Sequence, residues 1–191
     1  LPLNLANLSP SRKCLYVETG NVAKLANKDA RAFGDIRVIA SSADTNYDRI
    51  PEIAPEMIDQ DAAYLHLTTN NTIYGSRYNS FPDAGKVPLI ADQTSEILSR
   101  VIDYGKFGCI YAGLQKNLGP AGTAIVVIRE DLLGHAAAET PILLNYEVCA
   151  KDNSLTNTAN TFAIYVTGLV LNWLEQQGGV AAIEKRNEQK A

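Results

Sequence analysis

The 191 residues carry 17 Lys and Arg against 21 Asp and Glu, a formal net charge of -4, and 46% of them are hydrophobic. That length and composition suit one globular domain, or a large part of one, able to bury a core. No block of Lys and Arg is dense enough to follow a phosphate backbone, so nucleic acid is excluded as an expected partner. In chain order, residues 14–19 (CLYVET) read as a first strand and 21–33 as a helix whose Ala and Lys suit an exposed face. Residues 36–40 (IRVIA) read as a second strand, and 51–60 as a helix with Pro near its start. Further strands are expected at 63–67 (AYLHL), 88–91 (PLIA), 107–111 (FGCIY) and 123–129 (TAIVVIR), with residues 94–104 as a crossover helix. A polar loop at 152–157 precedes a long amphipathic helix at 162–177, on which Phe162 and Trp173 are expected to face the core together. Gly178 and Gly179 suit a helix C-cap and a turn into a final helix. β-branched runs alternating with helices imply an α/β fold, a three-layer α/β/α arrangement around a mostly parallel sheet.

Cys14, Cys109 and Cys149 stand apart without CxxC spacing, so neither a disulfide framework nor a zinc site is expected. No apolar run is long enough to cross a bilayer and no secretory leader opens the chain; a cytoplasmic protein without membrane contact is expected. The chain starts at Leu1 rather than Met and ends, over 183–191, in a helical pattern without a stop signal, which reads as a piece of a longer protein.

One charge stands out. Lys116 lies among small and apolar residues in YAGLQKNLGPAG, residues 111–122, just beyond a strand end, where open α/β sheets place their binding residues. Poor solvation there would favour the neutral amine that attacks a carbonyl carbon; a surface lysine in a glycine-rich turn is the other reading. Asp92 closes the preceding apolar run, so the two side chains should share one crevice. A carboxylate for the pyridine nitrogen and a lysine for the aldehyde are the two protein groups that pyridoxal phosphate chemistry needs. Elsewhere, His66 reads as a satisfied strand residue, His135 as a loop residue without a partner, and Cys109 as a small buried hydrophobe. Gly119 and Gly122 around Pro120 read as the turn into the next strand.

Four stretches together resemble the phosphoserine aminotransferases, of the fold-type I class of pyridoxal phosphate enzymes: residues 111–122, IADQTSEILSR at 90–100, NNTIYG at 70–75 and SLTNTANTF at 154–162. The resemblance runs over nearly the whole chain. It implies that residues 1–191 are a partial large domain, with an N-terminal Gly-rich phosphate-cradling segment before Leu1 and a small domain after Ala191. It implies Lys116 as the Schiff-base lysine, Asp92 at the pyridine nitrogen, Thr72 against the ring and Gln115 beside the phosphate. Asn157 and Thr158 match a pair that reaches the phosphate of the other subunit's cofactor, which implies a homodimer. The implied activity is transfer of an amino group from glutamate to 3-phosphohydroxypyruvate, in serine biosynthesis. Val22 stands where the family usually has a ring-stacking tryptophan, Val101 where it has a proline, and Ala159-Asn160 where it has two. The alternatives are another class V enzyme of the same fold type, and a truncated domain of this fold without catalysis.

Overall fold

The computed structural model describes residues 2–190; Leu1 and Ala191, the chain ends considered above, lie outside them. In chain order the elements are α1 (Pro2–Leu5), β1 (Lys13–Glu18), α2 (Asn21–Ala30), β2 (Asp35–Ser41) and β3 (Tyr64–Thr68). Next come β4 (Asn70–Asn71), β5 (Ser76–Arg77), β6 (Leu89–Asp92), β7 (Cys109–Gly113) and β8 (Ala124–Ile128). α3 (Tyr146–Lys151), α4 (Thr161–Gln176) and α5 (Gly179–Glu188) follow. A six-stranded sheet runs in the order β2-β1-β3-β6-β7-β8, while β4 and β5 form a separate hairpin. The larger sheet is parallel except for β8, which runs antiparallel to β7. Each of its strands lies within two residues of the span expected from the sequence.

β3 is buried at every position, as a central strand of a parallel sheet must be, and its near-continuous apolar run reflects that. On one sheet face Cys14, Tyr16, Tyr64, Ile90 and Cys109 pack with Leu5 and Ala30, so α1 and α2 cover that side. On the other, Leu15, Val17, Leu65, Leu67 and Leu89 pack with Ile58, Tyr78, Ile102 and Phe107, residues of turns and extended segments.

Three local expectations fail, each for an identifiable reason. The helix expected at 51–60 is a single 3-10 turn, Pro55–Met57. Pro55 contributes no N–H and holds Ala54 extended, at φ -74 and ψ 144, so no helix can run through it. The segment instead lays Ile50, Ile53 and Ile58 on the sheet. The crossover helix expected at 94–104 is a series of turns, interrupted by Leu98 at φ 57. Backbone groups that a helix would use internally are taken by distant side chains. Asn117 Nδ2 donates to Ile97 O at 2.7 Å, Asn187 Nδ2 to Ser99 O at 2.8 Å, and Val101 N donates to Glu184 Oε2 at 3.3 Å. Finally, Phe162 and Trp173 do not face the core: they are 66% and 48% exposed. α4 instead approaches the core through its small residues. Ala163 is buried, and Gly119 lacks the Cβ that would meet Thr167 Oγ1 at 2.6 Å. Gly178, at φ 94, makes the expected break between α4 and α5.

From β1 the sheet grows one way to β2 and the other way to β3. Such a reversal of strand order opens a crevice beyond the carboxyl ends of the strands, the place where open α/β sheets bind ligands.

Candidate active site

A cavity of about 370 Å³ occupies that crevice. Its size falls in the range of about 300–1,000 Å³ usual for small-molecule sites. Its lining comes from the segments after four neighbouring strands: Val22 after β1, Thr72 after β3, Asp92 and Ser95 at and after β6, Gln115 and Lys116 after β7.

The wall from β1 and β3 is built by close approach. A Cβ on Gly20 would meet Asn71 Oδ1 at 3.0 Å and the Tyr74 ring at 3.1 Å, so a glycine there lets the turn into α2 lie close against the β4–β5 hairpin without displacing those side chains. Asn71 is buried and holds the hairpin: its Oδ1 accepts from Thr19 Oγ1 at 3.1 Å and its Nδ2 donates to Ser76 Oγ at 3.2 Å. Thr72, next in sequence, is thereby presented to the cavity. Asn71 is a supporting residue that the sequence shows only as part of a turn, because its role depends on a partner 52 residues away.

The opposite wall carries the charges. Asp92 ends β6, and its Oδ1 accepts from Thr94 N at 2.9 Å, closing a short turn. Its other carboxylate oxygen has no protein partner among the described residues and is available to a ligand. Thr94 Oγ1 accepts from Gly113 N at 3.2 Å, tying this turn to the end of β7. Lys116 Nζ donates to Thr72 Oγ1 at 2.8 Å and to Ser95 Oγ at 2.9 Å, and those two hydroxyls are 2.6 Å apart. Ser95 had no distinguishing signal in the sequence beyond its place in the 90–100 stretch.

The structure therefore brings Thr72, Asp92, Gln115 and Lys116 to one cavity. The poor solvation expected of Lys116 is not found: the residue is exposed, because its small and apolar neighbours turn inward while the lysine stands at the open rim. Val22, 48% exposed, presents an aliphatic face to the cavity. Asn157 and Thr158 are exposed and do not line it; Asn157 Nδ2 donates to Thr158 O at 3.1 Å. Nor does either cap the next helix, since Asn160 Oδ1 accepts from Ala163 N instead. His135 is exposed.

Below Asp92, on the same sheet face, lies a neutral buried layer. His66 Nε2 and Tyr111 Oη are 2.8 Å apart, and Tyr16 stacks on the imidazole at 4.7 Å between ring centroids. Burial pushes the His66 imidazole down to about 3. Burial, reinforced by the charge of Asp92, raises the Tyr111 phenol. Burial also pushes the Cys109 thiol up to about 12, so this cysteine is an inert core residue, as expected from the sequence.

A pH dependence follows from His66. Its folded value lies below its unfolded value of about 6.5, so its contribution to stability is complete above that pH and is lost as pH falls toward about 3. Across the middle of that window the loss approaches about 1.4 kcal/mol per pH unit. Urea titrations of the wild type and of His66→Phe should show this slope in the former and its absence in the latter; equal slopes would remove His66 as the cause.

The aminotransferase class-V family model matches residues 1–191. A phosphoserine aminotransferase of Lysinibacillus sphaericus is 50% identical over 191 residues, which are 100% of this chain and 52% of that protein. Among solved structures, the phosphoserine aminotransferase of Bacillus circulans subsp. alkalophilus superposes with a TM-score of 0.91 at 42% identity, covering 100% of this chain and 54% of that one. The PLP-bound phosphoserine aminotransferase of Trichomonas vaginalis gives 0.89 at 34% identity, covering 100% and 53%. The chain thus spans about half the length of the curated relatives it matches. The family match leaves no residue of the chain out, and the cavity sits where this architecture binds ligands: the chain belongs to the class-V aminotransferase family.

Proposed function

We propose that these residues form the cofactor half of a pyridoxal phosphate-dependent phosphoserine aminotransferase, the large-domain portion of a longer protein. The observation that carries this reading is the meeting of Asp92 and Lys116 in one cavity whose lining, among the described residues, holds no other lysine. The donor set fits the cofactor. A carboxylate oxygen without a protein partner suits a protonated pyridine nitrogen, an exposed primary amine suits an aldehyde, and Val22 supplies an aliphatic surface for a ring face.

When bound, pyridoxal phosphate supplies an aldehyde that captures amines and a ring that withdraws electrons. Asp92 would hold the proton on the ring nitrogen, its geometry fixed by the Thr94 N–H at its other oxygen. Lys116 Nζ would bind the aldehyde and, when released from it, hold or move a proton. Thr72 would rest against the ring and Gln115 beside the phosphate. The phosphate is dianionic, and Lys116 is the one cation among the described residues lining the cavity. The remaining phosphate contacts are assigned to the full-length protein's Gly-rich segment and to Asn157 and Thr158 of a second copy.

Supporting that homodimer, Phe162, Ile164, Tyr165, Leu169 and Trp173 leave an apolar surface on α4, which follows directly on Asn157 and Thr158. No helix among the described residues is long and apolar enough to cross a membrane, which is consistent with the cytoplasmic setting proposed for serine biosynthesis. The substrates proposed are glutamate and 3-phosphohydroxypyruvate.

The test is to incubate the full-length protein with pyridoxal phosphate, reduce with borohydride and locate the label by peptide mass. Stoichiometric label on Lys116 is expected. A label confined to other lysines, or none, would overturn the assignment.

A further inference from the structure

Ser95 has no role in the reading above, yet its side chain makes one of the two hydrogen bonds that fix the Lys116 amine. An ammonium group donates in three directions. Thr72 Oγ1 at 2.8 Å and Ser95 Oγ at 2.9 Å fill two of them. The two hydroxyls, 2.6 Å apart, also hold each other. A long flexible side chain at the open rim of a cavity is thereby held from two loops, one after β3 and one after β6.

The place of Ser95 is itself set by Asp92. The Asp92 carboxylate accepts from Thr94 N at 2.9 Å, and Gln93 O accepts from Glu96 N at 2.9 Å and from Ile97 N at 2.8 Å. Ser95 sits within that turn, one residue after Thr94, whose hydroxyl ties the turn to Gly113 N. Asp92 and Lys116 are thus linked through the protein itself: carboxylate to Thr94 N, turn to Ser95, hydroxyl to amine.

We propose that Ser95 is a positioning residue: it holds the Lys116 amine in register with Asp92, so that one rigid turn sets the spacing between the group for the ring nitrogen and the group for the aldehyde. The proposal rests on the reading of Lys116 as the residue that captures the cofactor aldehyde. Without the Ser95 hydroxyl, the amine keeps only Thr72 and samples orientations that do not face the aldehyde.

The test follows the rate at which pyridoxal phosphate becomes borohydride-trappable on Lys116 in the full-length protein, for wild type, Ser95→Ala and Ser95→Thr. Loss of one hydrogen bond to a charged group should slow Ser95→Ala by about tenfold. Ser95→Thr, which keeps the hydroxyl, should return the rate to within about threefold of wild type, and the thermal midpoints of all three should agree. A merely structural role would lower the midpoint of Ser95→Ala and leave its trapping rate, per folded molecule, unchanged. Ser95→Ala trapping at the wild-type rate, or Ser95→Thr as slow as Ser95→Ala, overturns the proposal alone. A wild type that takes no label on Lys116 overturns the function reading, and the proposal with it.

Discussion

On the proposed function, Lys116→Ala is expected to end covalent capture of pyridoxal phosphate and to lower the proposed transamination by the full-length protein by about 10⁴-fold or more, since it would remove both the proposed nucleophile and the proposed proton carrier. No other lysine lines the cavity among the described residues, so no neighbour stands ready to replace it. Folding should be nearly unaffected. Lys116 is exposed and its two hydrogen bonds go to hydroxyls that can bond each other, so the unfolding free energy should stay within about 0.5 kcal/mol of wild type. Borohydride trapping, steady-state rates and urea unfolding on the same preparation check all three statements. Activity retained within tenfold of wild type, in protein shown to be folded, would exclude Lys116 from the chemistry.

Arg100→Ala is expected to have the largest effect on stability. Arg100 and Glu96 form an ion pair of 2.8 Å whose side chains are only 12% and 1% exposed. The guanidinium also donates to Tyr78 O at 2.8 Å and lies 5.6 Å from the centre of the Phe81 ring. The second oxygen of Glu96 is buried without a hydrogen-bond partner among the described residues, so Arg100 alone answers that carboxylate. Removing one member of a buried pair leaves an uncompensated charge, at a cost of about 3–5 kcal/mol. Because Ser95 adjoins Glu96, the same change should loosen the turn that reaches Lys116. Replacing both partners, in Glu96→Leu with Arg100→Met, should recover most of the lost stability, since a buried pair and apolar side chains of similar volume are often close in energy. If Arg100→Ala unfolds within about 1 kcal/mol of wild type, the pair is not desolvated in solution as it is here.

The site was legible to an uneven degree. Asp92 and Lys116 could be placed together because each ends or follows an apolar run, and neighbouring parallel strands bring their carboxyl ends to one edge. The environment of Lys116 was not legible: small and apolar neighbours suggested enclosure, whereas Ala112, Leu114 and Leu118 are buried in the core and leave the lysine at the rim. Ser95 and Asn71 were equally silent. Serine and asparagine hydrogen-bond in almost any turn, and their roles here depend on partners 21 and 52 residues away.

By itself the sequence determined the strands and the mostly parallel sheet, because a near-continuous apolar run such as that of β3, buried at every position, has few stable settings other than a strand covered on both faces. It also determined the break at Gly178, a local consequence of backbone freedom at positive φ. The tertiary structure alone decided the turn-rich path from Thr94 to Arg100. There, side chains of Asn117, Glu184 and Asn187 take backbone groups that a helix would have paired internally. It also decided which face of α4 turns inward, because Gly119 admits Thr167 more closely than any larger residue would. Local pattern fixes an element when the bonds that form it are local; here the bonds that shape the site span tens of residues, and only the folded chain closes them.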